Sequence, residues 1–242
     1  MPETRRAPLW PIWRRRGRRI EPIMMNPPAI KICGLTRAQD IDHMNRLGVE
    51  LVGFNFVEKS PRFVTQDKGA GLAAMCRAQM ERVALLVNPD DDAVDRAMAA
   101  VSPHRLQLHG DESPARVSEI KRRTHCAIIK ALPVETAQDV ARAADYQDCA
   151  DWFLFDAKPP RHEAAQGVTG GHGEAFDWTA LKAYDLSQPY LLAGGLTADN
   201  VAEALSVSGA PMVDAASGVE SAAGEKDEQL MEAFIAAVRG RE

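Results

Sequence analysis

From residue 29 onward the chain repeats one unit eight times: a short apolar run, a polar turn, then an amphipathic stretch. The apolar runs occupy residues 29–35, 51–56, 82–87, 105–109, 127–132, 152–156, 190–195 and 212–216. Helix-like stretches between and after them include 37–47, 90–101, 113–123, 136–146, 199–205 and 228–239. Start signals agree: Ser113-Pro114 and Thr197-x-Asp199 place a capping side chain, or a proline in the first turn, where a helix should open. Strands alternating with helices imply parallel βαβ units. Eight of them suit a closed barrel better than an open sheet. An open doubly wound sheet would keep a glycine-rich phosphate turn after its first strand. Here the first run ends in Cys33-Gly34-Leu35-Thr36, and the glycine-bearing turns come after the seventh and eighth runs. The fold class this predicts is α/β, a single (β/α)8 TIM barrel over residues 29–242. A chain of 242 residues fits the roughly 250 that such a barrel needs.

Charge separates the first residues from that body. Residues 1–24 carry seven Arg against Glu3 and Glu21, so the net charge of −5 hides a head of +5 and a remainder of −10. The head is rich in Pro and Arg and shows no helical or strand period. Residues 1–28 are therefore expected to be a disordered basic extension, with Met24-Met25 immediately before the first credible strand. A nucleic-acid or membrane arm is the competing reading, and an acidic body gives it no support. No apolar run reaches the roughly 18 residues of a membrane span, and no secretory segment precedes the first strand, so a cytoplasmic protein is expected. Cys33, Cys76, Cys126 and Cys149 are scattered, without C-x-x-C pairs or His at metal spacing. That argues against a zinc site and against a disulfide framework.

Side chains alternate along a strand, so parity decides which residues enter the barrel. Lys31 and Cys33 share one face of the first strand, opposite Ile30 and Ile32. Gln107 and His109 oppose Leu106 and Leu108, Asp156 shares the face of Leu154, and Asp214 opposes Val213 and Ala215. Each apolar set suits the helix layer, so the polar sets point inward. Cys33, His109 and Asp156 lie near the carboxyl ends of their strands, where barrel enzymes do chemistry. Singly, Cys33 could be a small core residue, His109 a hydrogen-bonded core histidine and Asp156 a loop cap. Together they form ionisable groups converging at one mouth, which are costly to bury without a use. Cys76, Cys126 and Cys149 read as structural.

The turns Ala193-Gly194-Gly195-Leu196 and Ala216-Ser217-Gly218-Val219-Glu220 follow two adjacent strands. Glycine lets backbone N–H groups approach an anion, and a helix N-terminus adds partial positive charge, so the pair suggests a phosphomonoester site. The Ser60-Pro61-Arg62 loop after the second strand puts a cation on the same rim, and Arg grips a carboxylate through two parallel hydrogen bonds.

These segments resemble phosphoribosylanthranilate isomerases of tryptophan biosynthesis. The resemblance rests on Lys31-Ile32-Cys33-Gly34-Leu35-Thr36, Gly53-Phe54-Asn55-Phe56, Ser60-Pro61-Arg62, Gln107-Leu108-His109-Gly110 and Phe155-Asp156. Beyond those it rests on Gly170-Gly171-His172-Gly173 with Phe176-Asp177-Trp178, on Ala193-Gly194-Gly195-Leu196 and on Asp214 through Glu220. It runs in order from about residue 29 to 239 and leaves out only the basic head.

The resemblance implies an Amadori rearrangement of N-(5-phosphoribosyl)anthranilate to 1-(2-carboxyphenylamino)-1-deoxyribulose 5-phosphate. It makes Asp156 the general acid, Cys33 the general base and Arg62 the partner of the anthranilate carboxylate. His109 and Asp214 then surround the substrate, while Gly195, Ser217 and Gly218 cradle its phosphate. Burial of Asp156 is expected to keep its proton, and Lys31 to help Cys33 become a thiolate. No metal and no cofactor are expected, because a protonated imine itself stabilises the developing carbanion. The expected partner is a small phosphorylated molecule, not nucleic acid or membrane, bound by a monomer or homodimer. Two departures concern detail: Ala215-Ala216 stand where the family often shows Val-Ser, and His172 and Glu174 where Thr or Ser and Lys are common. The competing functions are a metal-dependent sugar-phosphate epimerase and a non-catalytic binding barrel.

Overall fold

The computed structural model describes residues 14–16, 19–21, 28–158, 175–185 and 187–240. Eight parallel strands close into a barrel: β1 (Ala29–Cys33), β2 (Leu51–Asn55), β3 (Glu81–Leu86), β4 (Arg105–Leu108), β5 (Ala127–Val134), β6 (Trp152–Ala157), β7 (Tyr190–Leu192) and β8 (Met212–Ala215). Strand β8 pairs with β7 on one side and with β1 on the other, which closes the sheet. The outer layer is α1 (Ala38–Leu47), α2 (Gln66–Met75), α3 (Asp91–Val101), α4 (Pro114–Thr124), α5 (Ala137–Ala141), α6 (Val201–Ser208) and α7 (Glu228–Arg239). A 3-10 turn, Arg142–Tyr146, continues α5, and another, Trp178–Ala183, precedes β7. A short antiparallel hairpin, β9 (Glu220–Ala222) and β10 (Glu225–Lys226), follows β8.

The parity argument is visible as two separate cores. Ile30, Ile32, Leu106, Leu108, Val213 and Ala215 pack in the layer between sheet and helices. Ala29, Leu51, Val83, Ile129, Leu154, Leu191 and Met212 fill the barrel interior. Burying both faces of each strand removes most of its apolar area from water, at roughly 25 cal/mol per Å². Several helices open on side-chain caps, among them the Ser113-Pro114 start expected from the sequence. Asp90 accepts from Ala93 N at 2.7 Å, Ser113 accepts from Arg116 N at 3.3 Å with Pro114 in the first turn, and Asp227 accepts from Leu230 N at 3.0 Å.

Two details differ from the sequence reading. Helix α6 starts at Val201, not at residue 199, because Asn200 turns its side chain back: Oδ1 accepts from Thr197 N and Nδ2 donates to Gly195 O, both at 2.9 Å. Helix α2 lacks a strong apolar face and buries only Gly69 and Leu72. It forms because Gly69 lets it settle on Phe56 and Val101, each 3.3 Å from where a side chain would begin. Of the basic head, only Arg14–Arg16 and Arg19–Glu21 are described, and they pair antiparallel. The rest of that segment, and His172 and Glu174, lie outside the described residues. Among the described residues no helix is long and apolar enough to cross a membrane.

Candidate active site

The carboxyl ends of the strands surround a cleft that opens to solvent. Every site residue expected from the sequence lines it: Cys33, Arg62, His109, Asp156, Gly195, Asp214, Ser217 and Gly218. Cys33 ends β1 and is 5% exposed, while Asp156 stands near the end of β6 and is 8% exposed. Cys33 fits because its neighbour on β2 is Gly53, where an added Cβ would lie 2.6 Å from the thiol sulfur. Cys76, Cys126 and Cys149 are free thiols away from the cleft, as the structural reading of them expects.

Burial pushes the Cys33 thiol above its ordinary range, while the Lys31 ammonium pulls it down. The sequence reading assigned Lys31 to making Cys33 a thiolate. Its charge is already matched: Nζ donates to both carboxylate oxygens of Asp214 at 2.9 Å. Burial works against the Lys31 ammonium, but Asp214 and Cys33 together outweigh it and hold the ammonium charged. The net direction at Cys33 is therefore upward, and its resting form is the thiol.

Asp156 meets His109, whose Nε2 is 3.3 Å from Asp156 Oδ2. His109 Nδ1 lies 2.9 Å from Gln107 Nε2. With the amide donating to Nδ1, the ring hydrogen sits on Nε2 and points at the carboxylate. Gln107 is fully buried and lines the cleft, and parity placed it there without marking it as the group that orients His109.

Two parts of the cleft are chemically distinct. In one, Gly194 and Gly195 take φ of 88° and 61°, and Gly218 comes so close that a Cβ would lie 1.9 Å from Leu196 O. Only glycine permits that contact between the seventh and eighth turns. The N–H groups of Gly195, Ser217 and Gly218 meet no protein acceptor among the described residues, which leaves them for an anion. In the other, Asn55 and Ser60 brace the loop that carries Arg62. Asn55 Nδ2 donates to Ser60 Oγ at 3.1 Å, and Ser60 Oγ accepts from Arg62 N at 3.2 Å. Arg62 grips a carboxylate, as expected of its fork, but here it is that of Glu220: Nε to Oε1 at 2.8 Å and Nη2 to Oε2 at 2.7 Å. Among the described residues one group has metal-ligand spacing, His43 with Glu228 and Glu232, and it lies between α1 and α7, outside the cleft.

A family model described as N-(5'phosphoribosyl)anthranilate (PRA) isomerase matches residues 30–237. The chain belongs to that family. The N-(5'-phosphoribosyl)anthranilate isomerase of Sinorhizobium medicae is 45% identical over 213 residues, covering 88% of this chain and 98% of that protein. The one from Paracoccus denitrificans is 47% identical over 208 residues, covering 86% and 95%. The crystal structure of the Thermotoga maritima phosphoribosyl anthranilate isomerase superposes with a TM-score of 0.77 at 30% identity, covering 88% of this chain and 99% of that one. Another structure of the family, in complex with reduced 1-(o-carboxyphenylamino)-1-deoxyribulose 5-phosphate, gives 0.74 at 27% identity, over 88% and 99%.

As a member of this family the chain is an isomerase of tryptophan biosynthesis that converts N-(5'-phosphoribosyl)anthranilate by an Amadori rearrangement. The departure at Ala216 falls inside the cleft, so one hydroxyl is absent beside Ser217. Glu220 and Lys226 are what sequence reasoning missed. Glu220 closed a quoted motif without a role, and Lys226 lay beyond it; no spacing rule links either to Arg62.

Proposed function

We propose that Asp156 and Cys33 divide the proton transfers of the rearrangement between opposite sides of the cleft. Asp156 gives its proton to the ribose ring oxygen, the C1′–O bond breaks, and the anthranilate nitrogen carries the resulting iminium. Cys33 first gives up its thiol proton to solvent; the thiolate then takes the C2′ proton, and the electron pair moves toward the iminium to leave an enolamine that becomes the 2′-ketone. Arg62 holds the anthranilate carboxylate, His109 and Asp214 flank the sugar, and the N–H groups of Gly195, Ser217 and Gly218 hold the 5′-phosphate. The observation that carries this reading is that Cys33, Asp156, Arg62, Gly195, Ser217 and Gly218 all line one cleft. The chemistry asks for no metal or cofactor, since the iminium is the electron sink. The test is turnover of Cys33→Ala and Asp156→Asn, followed by the loss of the substrate's anthranilate fluorescence, with and without a chelator. A rate that collapses with the chelator would favour the metal-dependent epimerase class instead.

The setting we propose is the cytoplasm, in keeping with four free cysteines. The partner is the phosphorylated substrate alone, and the assembly is a monomer or a homodimer. The Thermotoga maritima isomerase is dimeric, and monomers generated from it superpose with a TM-score of 0.74 at 27% identity. Sedimentation of this protein at working concentration decides between the two.

A further inference from the structure

Arg62 is pinned from two sides. Its stem lies over Gly34, where a Cβ would sit 2.5 Å from Arg62 Cδ, and its Nε–Nη2 edge is closed by Glu220. Glu220 is itself held, because its Oε1 accepts from Lys226 Nζ at 2.7 Å and its Oε2 from Gly224 N at 3.2 Å. The Glu220 and Lys226 side chains are only 3% and 0% exposed. Lys226 Nζ also donates at 2.8 Å to Ala216 O, the carbonyl just before the Ser217-Gly218 turn. The β9–β10 hairpin is locked in place as well: Thr36 Oγ1 donates to Gly224 O at 3.2 Å, and a Cβ on Gly224 would lie 2.5 Å from Pro61 O. A continuous buried chain thus runs from Arg62 through Glu220 and Lys226 to the phosphate turn.

A guanidinium has two edges that can take a carboxylate bidentately, Nε–Nη2 and Nη1–Nη2. Glu220 fills the first. Nη1 makes no hydrogen bond among the described residues, so only the second edge is open to a ligand. We propose that Glu220, seated by Lys226, is a positioning residue that makes Arg62 present its Nη1–Nη2 edge at a set distance from the phosphate turn, and so selects ligands whose carboxylate lies at that distance. The inference rests on the assignment of Arg62 to the substrate carboxylate. It adds that the selectivity belongs to the Arg62–Glu220–Lys226 unit, not to Arg62 alone. Burial opposes all three charges and pulls the Lys226 ammonium below its ordinary range, while Arg62 and Lys226 hold the Glu220 carboxyl below its own.

The experiment measures binding of two product-like ligands by calorimetry: the carboxylated product and the phenylamino analogue that lacks the ring carboxylate. Steady-state kinetics on the same proteins separate KM from kcat. Glu220→Gln should weaken the carboxylated ligand about tenfold and the carboxylate-free one less than about twofold, with KM rising and kcat nearly held, because the lost term is ground-state positioning. Glu220→Asp, which keeps the charge on the hairpin, should recover part of the loss and also covers a Gln variant that fails to fold. In an Arg62→Ala background, Glu220→Gln should add no further discrimination, since residues acting through one another are not additive. Equal losses for both ligands, or a carboxylate-specific loss that persists without Arg62, would overturn the inference. If Arg62→Ala alone fails to separate the ligands, the role of Arg62 falls and takes this inference with it. If it separates them and Glu220→Gln does not, only the positioning role falls.

Discussion

Lys31 and Asp214 face each other at partner positions of β1 and β8, and the lysine donates to both carboxylate oxygens at 2.9 Å across the seam where the barrel closes. Both residues are almost wholly withdrawn from water. A buried pair of this kind is weak evidence for net stability, but removing one partner strands a charge. Lys31→Met should therefore lower stability by about 3–5 kcal/mol. The double variant Lys31→Met, Asp214→Leu should recover much of that while losing substrate affinity, because Asp214 lines the cleft. Urea denaturation of both variants checks this. A double variant no more stable than Lys31→Met would mean that the seam depends on the ion pair itself.

The acid and base assignments predict a specific kinetic pattern. Cys33→Ala and Asp156→Asn should each cost at least about two orders of magnitude in kcat, the usual scale of acid–base catalysis. Circular dichroism and melting should show both variants folded. Near-normal turnover in either would remove that residue from the mechanism.

The direction of the Cys33 shift sets a pH dependence. Burial favours the neutral thiol, so the folded protein holds this proton more tightly than the unfolded chain does. Its contribution to stability is full below the ordinary thiol range and is lost as pH rises through the folded value. As a base, Cys33 works deprotonated, so kcat/KM should still be climbing with pH where a free cysteine, at about 8.5, is half ionised. Alkylation by iodoacetamide in a variant with Cys76, Cys126 and Cys149 replaced by Ala reads the same group directly. A folded midpoint below that of the urea-unfolded protein would show that the Lys31 charge prevails over burial.

Arg62→Ala separates anthranilate recognition from generic sugar-phosphate binding. It should weaken the carboxylated product by roughly 1.5–3 kcal/mol, the scale of hydrogen bonds to charged groups. A bare pentose 5-phosphate, which needs only the Gly195 and Ser217-Gly218 turns, should bind almost as before. Arg62→Lys should not rescue the loss, because an ammonium has no planar fork. Calorimetric titration of both ligands decides, and equal losses would assign Arg62 to the phosphate or the fold.

Residues 1–24 are proposed to be dispensable. A protein beginning at Met25 should match the full chain in melting temperature and turnover. A substantial drop in either would show that the basic head packs on the barrel or serves the site.

The eightfold alternation and the inward parity of Cys33, His109, Asp156 and Asp214 were legible in the sequence because both are local. A strand alternates every residue and a helix repeats every 3.6, so a window of ten residues carries each signal. The glycine turns were legible for a similar reason: a φ of 88° at Gly194 is a demand on one residue. Helix α2 was not, since its weakly periodic segment is held by the contact of Gly69 with Phe56 and Val101, and propensity yields to packing. Nor were the charge partners. Lys31 and Asp214 are 183 residues apart, and Arg62 and Glu220 are 158 apart. Sequence turned Lys31 and Asp214 inward and put Arg62 on the rim, but barrel closure and the seat of a five-atom side chain decide which carboxylate a cation meets. That choice gave Lys31 the Asp214 carboxylate as a partner beside Cys33 and closed one edge of Arg62. Coulomb energy at contact depends on ångströms that no residue pattern encodes.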